Sequence, residues 1–177
     1  MTSPAEEHRR VAGEFTATVE GVAPGGWDRP APVEGWVARD VVRHLVEWFP
    51  AFLQGVGIEL PPGPSVDDDP VGAWRVHTDA VQALLDDPTT ARQEHDLPHL
   101  GRTSLEQATD TIYTGDVFLH RWDLARATGQ GRDARPAAVR RHARGHAPDG
   151  RGPAPERSLR PARRGARPDK TVSLPRQ

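Results

Sequence analysis

Apolar side chains recur at helical spacing in four segments of the chain, separated by stretches rich in proline and glycine. In the first segment Val11, Phe15 and Val19 follow one another every four positions and predict a helix over residues 4–21. Three further helices with the same spacing are predicted over residues 38–56, 70–87 and 105–128. The pattern predicts an all-α fold, because residues 88–103 are expected to be only irregular or weakly extended.

The ends of the third and fourth predicted helices carry typical cap residues. Asp69 and Pro70 suit a helix start, since aspartate caps a helix and proline fits its first turn. Ser104 and Gln107 form a capping-box pattern, and Gly129 is placed to end the last helix. Two apolar stripes are predicted to face the core: Val41, Leu45, Trp48 and Phe52 in the second helix, and Leu105, Ala108, Ile112, Leu119, Trp122 and Ala125 in the fourth.

Composition narrows the kinds of site that the chain can build. It contains no cysteine, which excludes disulfides, thiolate zinc sites and a cysteine nucleophile. Any metal must therefore be held by histidine, aspartate and glutamate. No apolar run approaches the roughly 18 residues that cross a membrane, and the N-terminal residues lack the apolar core of a secretory signal. These features favour a cytoplasmic location.

The net charge of −2 conceals two segments of opposite charge. Residues 1–130 contain 10 arginines, no lysine and 21 acidic residues, whereas residues 131–177 contain 12 arginines, one lysine and 4 acidic residues. The second segment is also rich in proline and glycine, has no aromatic residue and is predicted to be disordered. It is either a genuine basic tail that binds nucleic acid or the product of a shifted reading frame in a GC-rich gene. The shifted frame is the favoured hypothesis, because GC-rich codons translated out of phase yield mainly arginine, alanine, proline and glycine.

Three side chains carry the candidate chemistry. Asp116 and His120 lie four positions apart in the fourth predicted helix, so they project from one face with Cβ atoms about 5–6 Å apart. His44 in the second helix could supply a third ligand from a facing helix, and three protein ligands leave a metal with an open position. A carboxylate on an apolar stripe is costly unless paired or metal-bound, which favours a metal site. The alternative is that His44 and His120 are helix histidines without a metal.

Other histidines are weaker candidates. His77 lies between Trp74 and Val81, and a core or bundle-edge position is favoured over a ligand. His95 and His99 also have helical spacing, but the intervening proline argues against a helix and predicts solvated loop residues.

Three more residues lie near the candidate ligands in sequence. Asp123 follows His120 by three positions and could orient its imidazole, or simply pair with Arg126. Trp48 and Trp122 could wall an open metal position, although packing in the core is the favoured role for both. The chain has no glycine-rich phosphate loop and no nucleophile elbow.

Three motifs together resemble a known family. They are the loop Pro30-x-Pro32-Val33-x-Gly35-Trp36 after Trp27, the helix start Ala38-Arg39-Asp40-Val41-Val42-Arg43-His44-Leu45, and the run Gly115-Asp116-x-x-x-His120-x-Trp122-Asp123-Leu124-Ala125-Arg126-Ala127-Thr128-Gly129. In order and separation they resemble the DinB-like superfamily, in the branch named for the metal-binding domain of mycothiol-dependent maleylpyruvate isomerase. The resemblance covers about residues 4–130.

The resemblance implies a DinB-like metal-binding four-helix bundle over residues 1–130, followed by the disordered basic tail of residues 131–177. It implies that His44, Asp116 and His120 bind a divalent metal at one end of the bundle. The isomerase has Glu-x-x-x-His in the second motif, whereas this chain has Asp116, as in an uncharacterised side branch. Nothing here corresponds to the C-terminal domain of the isomerase, so its activity does not carry over automatically. Members of the branch continue with another helix after the last motif, which supports the shifted-frame hypothesis.

The leading functional hypothesis is a metal-dependent transferase or isomerase that uses a thiol, with mycothiol as the co-substrate by resemblance. Zinc is the first metal expected, with nickel, iron and manganese as alternatives. The second hypothesis is a non-catalytic metal-binding module for stress response or interaction, and the third, nucleic-acid binding, depends on a genuine tail. The expected partners are a small-molecule thiol or electrophile and a second copy of the chain, with neither a membrane nor nucleic acid favoured.

Overall fold

The computed structural model describes residues 2–97 and 100–131. Three long helices are α1 (Pro4–Glu20), α2 (Ala38–Gln54) and α3 (Pro70–Asp86). A fourth helical rod consists of α5 (Leu105–Ala108), a π-helical segment (Thr109–Thr114) and α6 (Gly115–Thr128). The predicted all-α fold is confirmed, whereas the predictions for the basic segment concern residues that, apart from Gly131, lie outside the described part of the chain.

The connections contain shorter elements. Gly26–Asp28 forms a 3₁₀ turn, and α4 (Pro88–Ala91) follows α3 directly. The strands β1 (Glu94–Leu97) and β2 (Gly101–Ser104) then pair antiparallel, with Glu94 opposite Ser104 and Leu97 opposite Gly101. The two strands agree with the expectation of an irregular or weakly extended segment at 88–103, whereas the short helix α4 was not expected. The strands could not be predicted individually, because four mostly polar residues give too short an alternation to be recognised.

The long helices pack around one apolar core. α1 contacts α3 and α6, and α2 contacts the same two helices, so the four rods form a closed cycle of neighbours. Such a cycle is the packing of a four-helix bundle. Its largest fully buried side chains include Phe15, Phe49, Trp74, Tyr113 and Leu124.

The predicted caps are present in the structure. The Asp69 side chain accepts a hydrogen bond from the Gly72 backbone N–H at 2.8 Å, and Ser104 Oγ accepts one from Gln107 N–H at 3.3 Å. Gly129 follows α6 with φ of +78°, a conformation that glycine adopts without the steric cost of a Cβ. Ser104 and Gly129 thus mark the two ends of the rod that carries Asp116 and His120.

The core stripe of α2 differs from the predicted one. Leu45, Phe49 and Leu53 are fully buried, whereas Trp48 and Phe52 are only partly buried at the edge of the core. Residues 45, 49 and 53 follow a spacing of four, and the sequence pattern alone also allowed the spacing through 48 and 52. Because residues 45, 49 and 53 face the core, the Trp48 indole lies near the surface, where its N–H has a polar partner.

The buried stripe of the fourth rod also differs from the predicted one. Leu105 and Ala108 are buried as predicted, but Tyr113, Val117 and Leu124 are buried in place of the half-buried Ile112, Leu119 and Trp122. The cause is the π-helical segment, whose wider turn inserts about one extra residue into the α-helical period. The π-helical segment ends two residues before Asp116, so it also affects the direction of that side chain.

Among residues 2–97 and 100–131, no helix combines the length and apolar character that a membrane crossing requires.

Candidate metal centre

His44, Asp116 and His120 meet between α2 and α6. His44 Nε2 lies 3.0 Å from Asp116 Oδ2, and His120 Nε2 lies 3.5 Å from Asp116 Oδ1. One ligand atom from each residue falls within 4.8 Å of the others. Two imidazole nitrogens and a carboxylate oxygen are the donor types that bind a zinc-type ion. The three side chains are partly exposed, so a ligand from solvent has access to them.

The loop of residues 29–38 is held by hydrogen bonds and covers one side of this cluster. Ala31 N–H donates to Trp36 C=O and Ala38 N–H donates to Arg29 C=O, both at 2.9 Å. The Arg29 guanidinium also donates to the C=O of Thr128 at the end of α6, at 3.3 Å. These bonds hold the Trp36 ring against both imidazoles, with ring centroids 5.3 Å from His44 and 5.9 Å from His120. The family-like loop seen in the sequence thus contributes an aromatic wall to the cluster.

Asp123 fixes the orientation of His120. Its Oδ2 lies 3.0 Å from His120 Nδ1, and the Asp123 side chain is almost fully buried. Because an ionised carboxylate can only accept hydrogen bonds, Nδ1 carries the hydrogen and Nε2 presents its lone pair toward Asp116 and His44. Of the two roles predicted for Asp123, the structure shows the orienting one.

Trp48 also contacts the cluster. Its indole Nε1–H donates to Asp116 Oδ2 at 3.0 Å, and its ring centroid lies 6.0 Å from that of His44. The favoured prediction of simple core packing is therefore incomplete for Trp48. Trp122 is half-buried, and the Arg126 guanidinium lies over its ring at 5.7 Å from the centroid.

A buried polar network lies beneath the cluster. His77 Nε2 and the Tyr113 hydroxyl are 2.6 Å apart, and both side chains are buried. Burial, followed by the nearby His8, lowers the pKa of His77 to about 3. Burial, followed by the Asp116 carboxylate, raises the pKa of Tyr113 well above its usual value. Tyr113 therefore donates its hydroxyl hydrogen to a neutral His77, and the prediction of a core position for His77 agrees with the structure.

His8 belongs to this network and was not singled out from the sequence. Its ring stacks on Tyr113 at 5.9 Å, and its Nδ1 lies 2.9 Å from Gln82 Oε1. Burial lowers the pKa of His8 below its usual value. The signal was available, because His8 continues the buried stripe of α1 one turn before Ala12.

The remaining histidine candidates do not reach the cluster. His95 lies in β1 and pairs with Thr103 across the hairpin, so the prediction of a loop position was wrong. His99 lies outside the described residues. A separate cavity of about 390 Å³ lies between α2, α3 and residues 60–67, with His77 in its wall, and none of the three candidate ligands lines it.

A model of the mycothiol maleylpyruvate isomerase N-terminal domain family matches residues 8–125. The chain belongs to this family. The matched range includes His44, Asp116 and His120 together with Trp36, Trp48 and Asp123. Membership agrees with the resemblance inferred from the three sequence motifs, and it supports a helical, mycothiol-related protein with a candidate metal cluster.

The chain is also similar to individual curated proteins. It is 30% identical over 154 residues to uncharacterised proteins of two strains of Mycobacterium tuberculosis, CDC 1551 / Oshkosh and ATCC 25618 / H37Rv. Each match covers 85% of this chain and 83% of the relative. Since 85% of 177 residues exceeds 130, the similarity continues past Gln130 into the basic segment. No solved structure shows significant similarity to the chain.

Proposed function

We propose that the protein binds one divalent metal ion, zinc first among the candidates, through His44, Asp116 and His120. The observation that carries this proposal is the convergence of two imidazole nitrogens and a carboxylate oxygen within 4.8 Å, from two separate helices. Supporting it, Asp123 leaves the lone pair of His120 Nε2 free for a ligand bond. A structural zinc site would close its coordination with a fourth protein ligand, and none joins the three among the described residues.

We further propose that the bound ion activates a small thiol, with mycothiol as the family-related candidate, for a transferase or isomerase reaction. A divalent ion with an open position lowers the pKa of a coordinated thiol or water toward neutrality. Around that position the chain supplies aromatic walls from Trp36 and Trp48, while Asp116 balances part of the ionic charge.

A non-catalytic metal-binding module is the second candidate. It is favoured by Asp116 itself, because the isomerase motif has glutamate at this position and the shorter side chain changes the geometry around an ion. The two candidates share the metal site and differ only in whether a thiol reacts there.

Elemental analysis and calorimetric titration with Zn²⁺ test the metal site. The wild-type chain should bind about one ion, and His44→Ala or His120→Ala should abolish binding, since even a lost orienting contact costs about 10–100-fold in affinity. His95→Ala, which removes a histidine from the hairpin, is the matched control and should bind as wild type does. Full occupancy in both ligand variants would refute the proposed site.

The hydrogen between His44 and Asp116 provides a second readout. In the structure His44 Nε2 faces Asp116 Oδ2 at hydrogen-bond distance, and coordination needs a bare nitrogen lone pair. Coordination through Nε2 should therefore place the ring hydrogen of His44 on Nδ1, and the ¹⁵N chemical shifts of the ring should show this tautomer once Zn²⁺ is bound. A hydrogen still on Nε2 in the zinc-loaded protein would argue against His44 as a ligand.

Thiol chemistry separates the two candidate functions. Zinc-loaded protein should accelerate the reaction of mycothiol with a small electrophile, and His120→Ala should return the rate to background. A metal-loaded protein with no rate above free Zn²⁺ would favour the non-catalytic module.

A further inference from the structure

The two oxygens of Asp116 have different surroundings. Oδ2 lies 3.0 Å from Trp48 Nε1 and 3.0 Å from His44 Nε2. Oδ1 has no hydrogen-bond partner among the described residues, and His120 Nε2 lies 3.5 Å from it. The carboxylate is therefore anchored through one oxygen and open at the other.

The anchor on Oδ2 is held at the edge of the core. The Trp48 ring packs against Phe49, Phe52 and Tyr113, with ring centroids 5.5, 6.4 and 5.9 Å away. An indole N–H can only donate, so a partly buried tryptophan needs an acceptor such as this carboxylate. The contact with His44 is of another kind, because its hydrogen must leave when the imidazole coordinates an ion.

We infer that Trp48 is a positioning residue that holds Oδ2 of Asp116 and presents Oδ1 alone to the metal ion. The inference rests on the proposed function, because it concerns an ion at His44, Asp116 and His120. An aspartate that offers one oxygen leaves more of the coordination sphere free than one that chelates through both oxygens. Trp48 thereby keeps a position open for the thiol.

Trp36 provides a matched control for this role. Its ring lies against the same two imidazoles, at 5.3 Å from His44 and 5.9 Å from His120. No hydrogen bond joins Trp36 to Asp116 in the described part of the chain. Removing Trp36 therefore changes the aromatic wall of the site without releasing the carboxylate.

Cobalt substitution tests the inference with a spectroscopic signature. Wild type, Trp48→Phe and Trp36→Phe are loaded with Co²⁺, and affinity is measured by competition with a chelator. Visible absorption is recorded on the same samples, because four-coordinate Co²⁺ absorbs more strongly than five- or six-coordinate Co²⁺. Trp48→Phe should bind Co²⁺ about 10–100-fold more weakly, the range for a lost orienting contact, with a weaker band from bidentate Asp116. Trp36→Phe alters the aromatic wall but not the anchor, so only the loss of affinity and absorption that Trp48→Phe shows beyond Trp36→Phe is assigned to the hydrogen bond with Asp116.

The outcomes separate this inference from the proposed function. If wild type binds no Co²⁺, the metal site fails and the inference falls with it. If wild type binds and Trp48→Phe keeps its affinity and spectrum, only the role of Trp48 is overturned. Should Trp48→Phe not fold, the indole ¹⁵N–¹H signal of Trp48 in zinc-loaded wild type decides, with slow solvent exchange expected and fast exchange refuting the anchor.

Discussion

The buried His77 predicts a specific dependence of stability on pH. Burial lowers its pKa to about 3 in the folded chain, against about 6.5 in an unfolded one. Below pH 6.5 the unfolded chain therefore binds a proton that the folded chain does not. Since stability rises with pH wherever the unfolded state holds more protons, this contribution is present at neutral pH and is lost as the pH falls from about 6.5 toward 3.

The size of the effect follows from the two pKa values. Each pH unit within the window is worth about 1.4 kcal/mol, so His77 alone should lower the free energy of unfolding by about 3 kcal/mol between pH 7 and pH 4. The Tyr113 hydroxyl contributes to the cost, because it already donates to His77 Nε2 and meets a second donor when that nitrogen is protonated.

Urea denaturation followed by circular dichroism measures this contribution. Wild type and His77→Gln are compared at several pH values with a chelator present, and glutamine can still bond the Tyr113 hydroxyl but does not titrate. The free energy of unfolding of wild type should fall about 3 kcal/mol further than that of His77→Gln. His8 remains in both proteins, so its contribution largely cancels. His95→Gln serves as a control for removing a histidine outside the core, and parallel curves for wild type and His77→Gln would refute the reasoning.

Three further predictions concern the metal site and the basic segment. Asp116→Asn should lose metal affinity more than Asp116→Glu, because the charge of the carboxylate matters more than its reach for a divalent ion; equal binding by wild type and Asn, measured by chelator competition, would remove Asp116 from the ligand set. Asp123→Asn should weaken Zn²⁺ binding about 10–100-fold, since it loosens the orientation of His120, and unchanged affinity in calorimetry would contradict this. A chain ending at Gln130 should keep its helicity and metal content, because residues 131–177 hold few large apolar side chains and ordering them would cost about 1–2 kcal/mol per residue. A much lower melting temperature, or lost metal, would instead show that this segment packs on the bundle, and sequencing the gene around codon 131 tests the shifted frame.

The sequence predicted most of the fold because four amphipathic segments, two of them with clear caps, leave little choice of packing. The stripe Val11, Phe15 and Val19 and the cap at Asp69 required only local rules. The shift in the last helix could not be foreseen, because a π-helical turn changes the period without a characteristic residue. For the β1–β2 hairpin only an irregular or weakly extended segment was expected, because its mostly polar residues show no alternation of apolar and polar positions.

The three candidate ligands and the supporting Asp123 could be named from the sequence, whereas the contact from Trp48 could not. Spacing and resemblance together placed His44, Asp116 and His120 at one position, and the structure brings them together. The hydrogen bond from Trp48 to Asp116 depends on a contact between residues 68 positions apart, which periodicity within one helix cannot reveal. Asp123 could be proposed beforehand because its partner lies on the same helical turn.

The π-helical segment Thr109–Thr114 gives this bundle an unusual sensitivity to chain length. Deleting one residue there would let the rod become continuous α-helix, a change that favours backbone hydrogen bonding locally. Removing one residue from an α-helix rotates the residues after it by about 100° about the helix axis, relative to those before it. After the deletion, the turn at Leu105–Ala108 and the candidate ligands on α6 could therefore no longer both face their present neighbours. The spacing between those two points of the chain is therefore constrained independently of the identity of the residues between them.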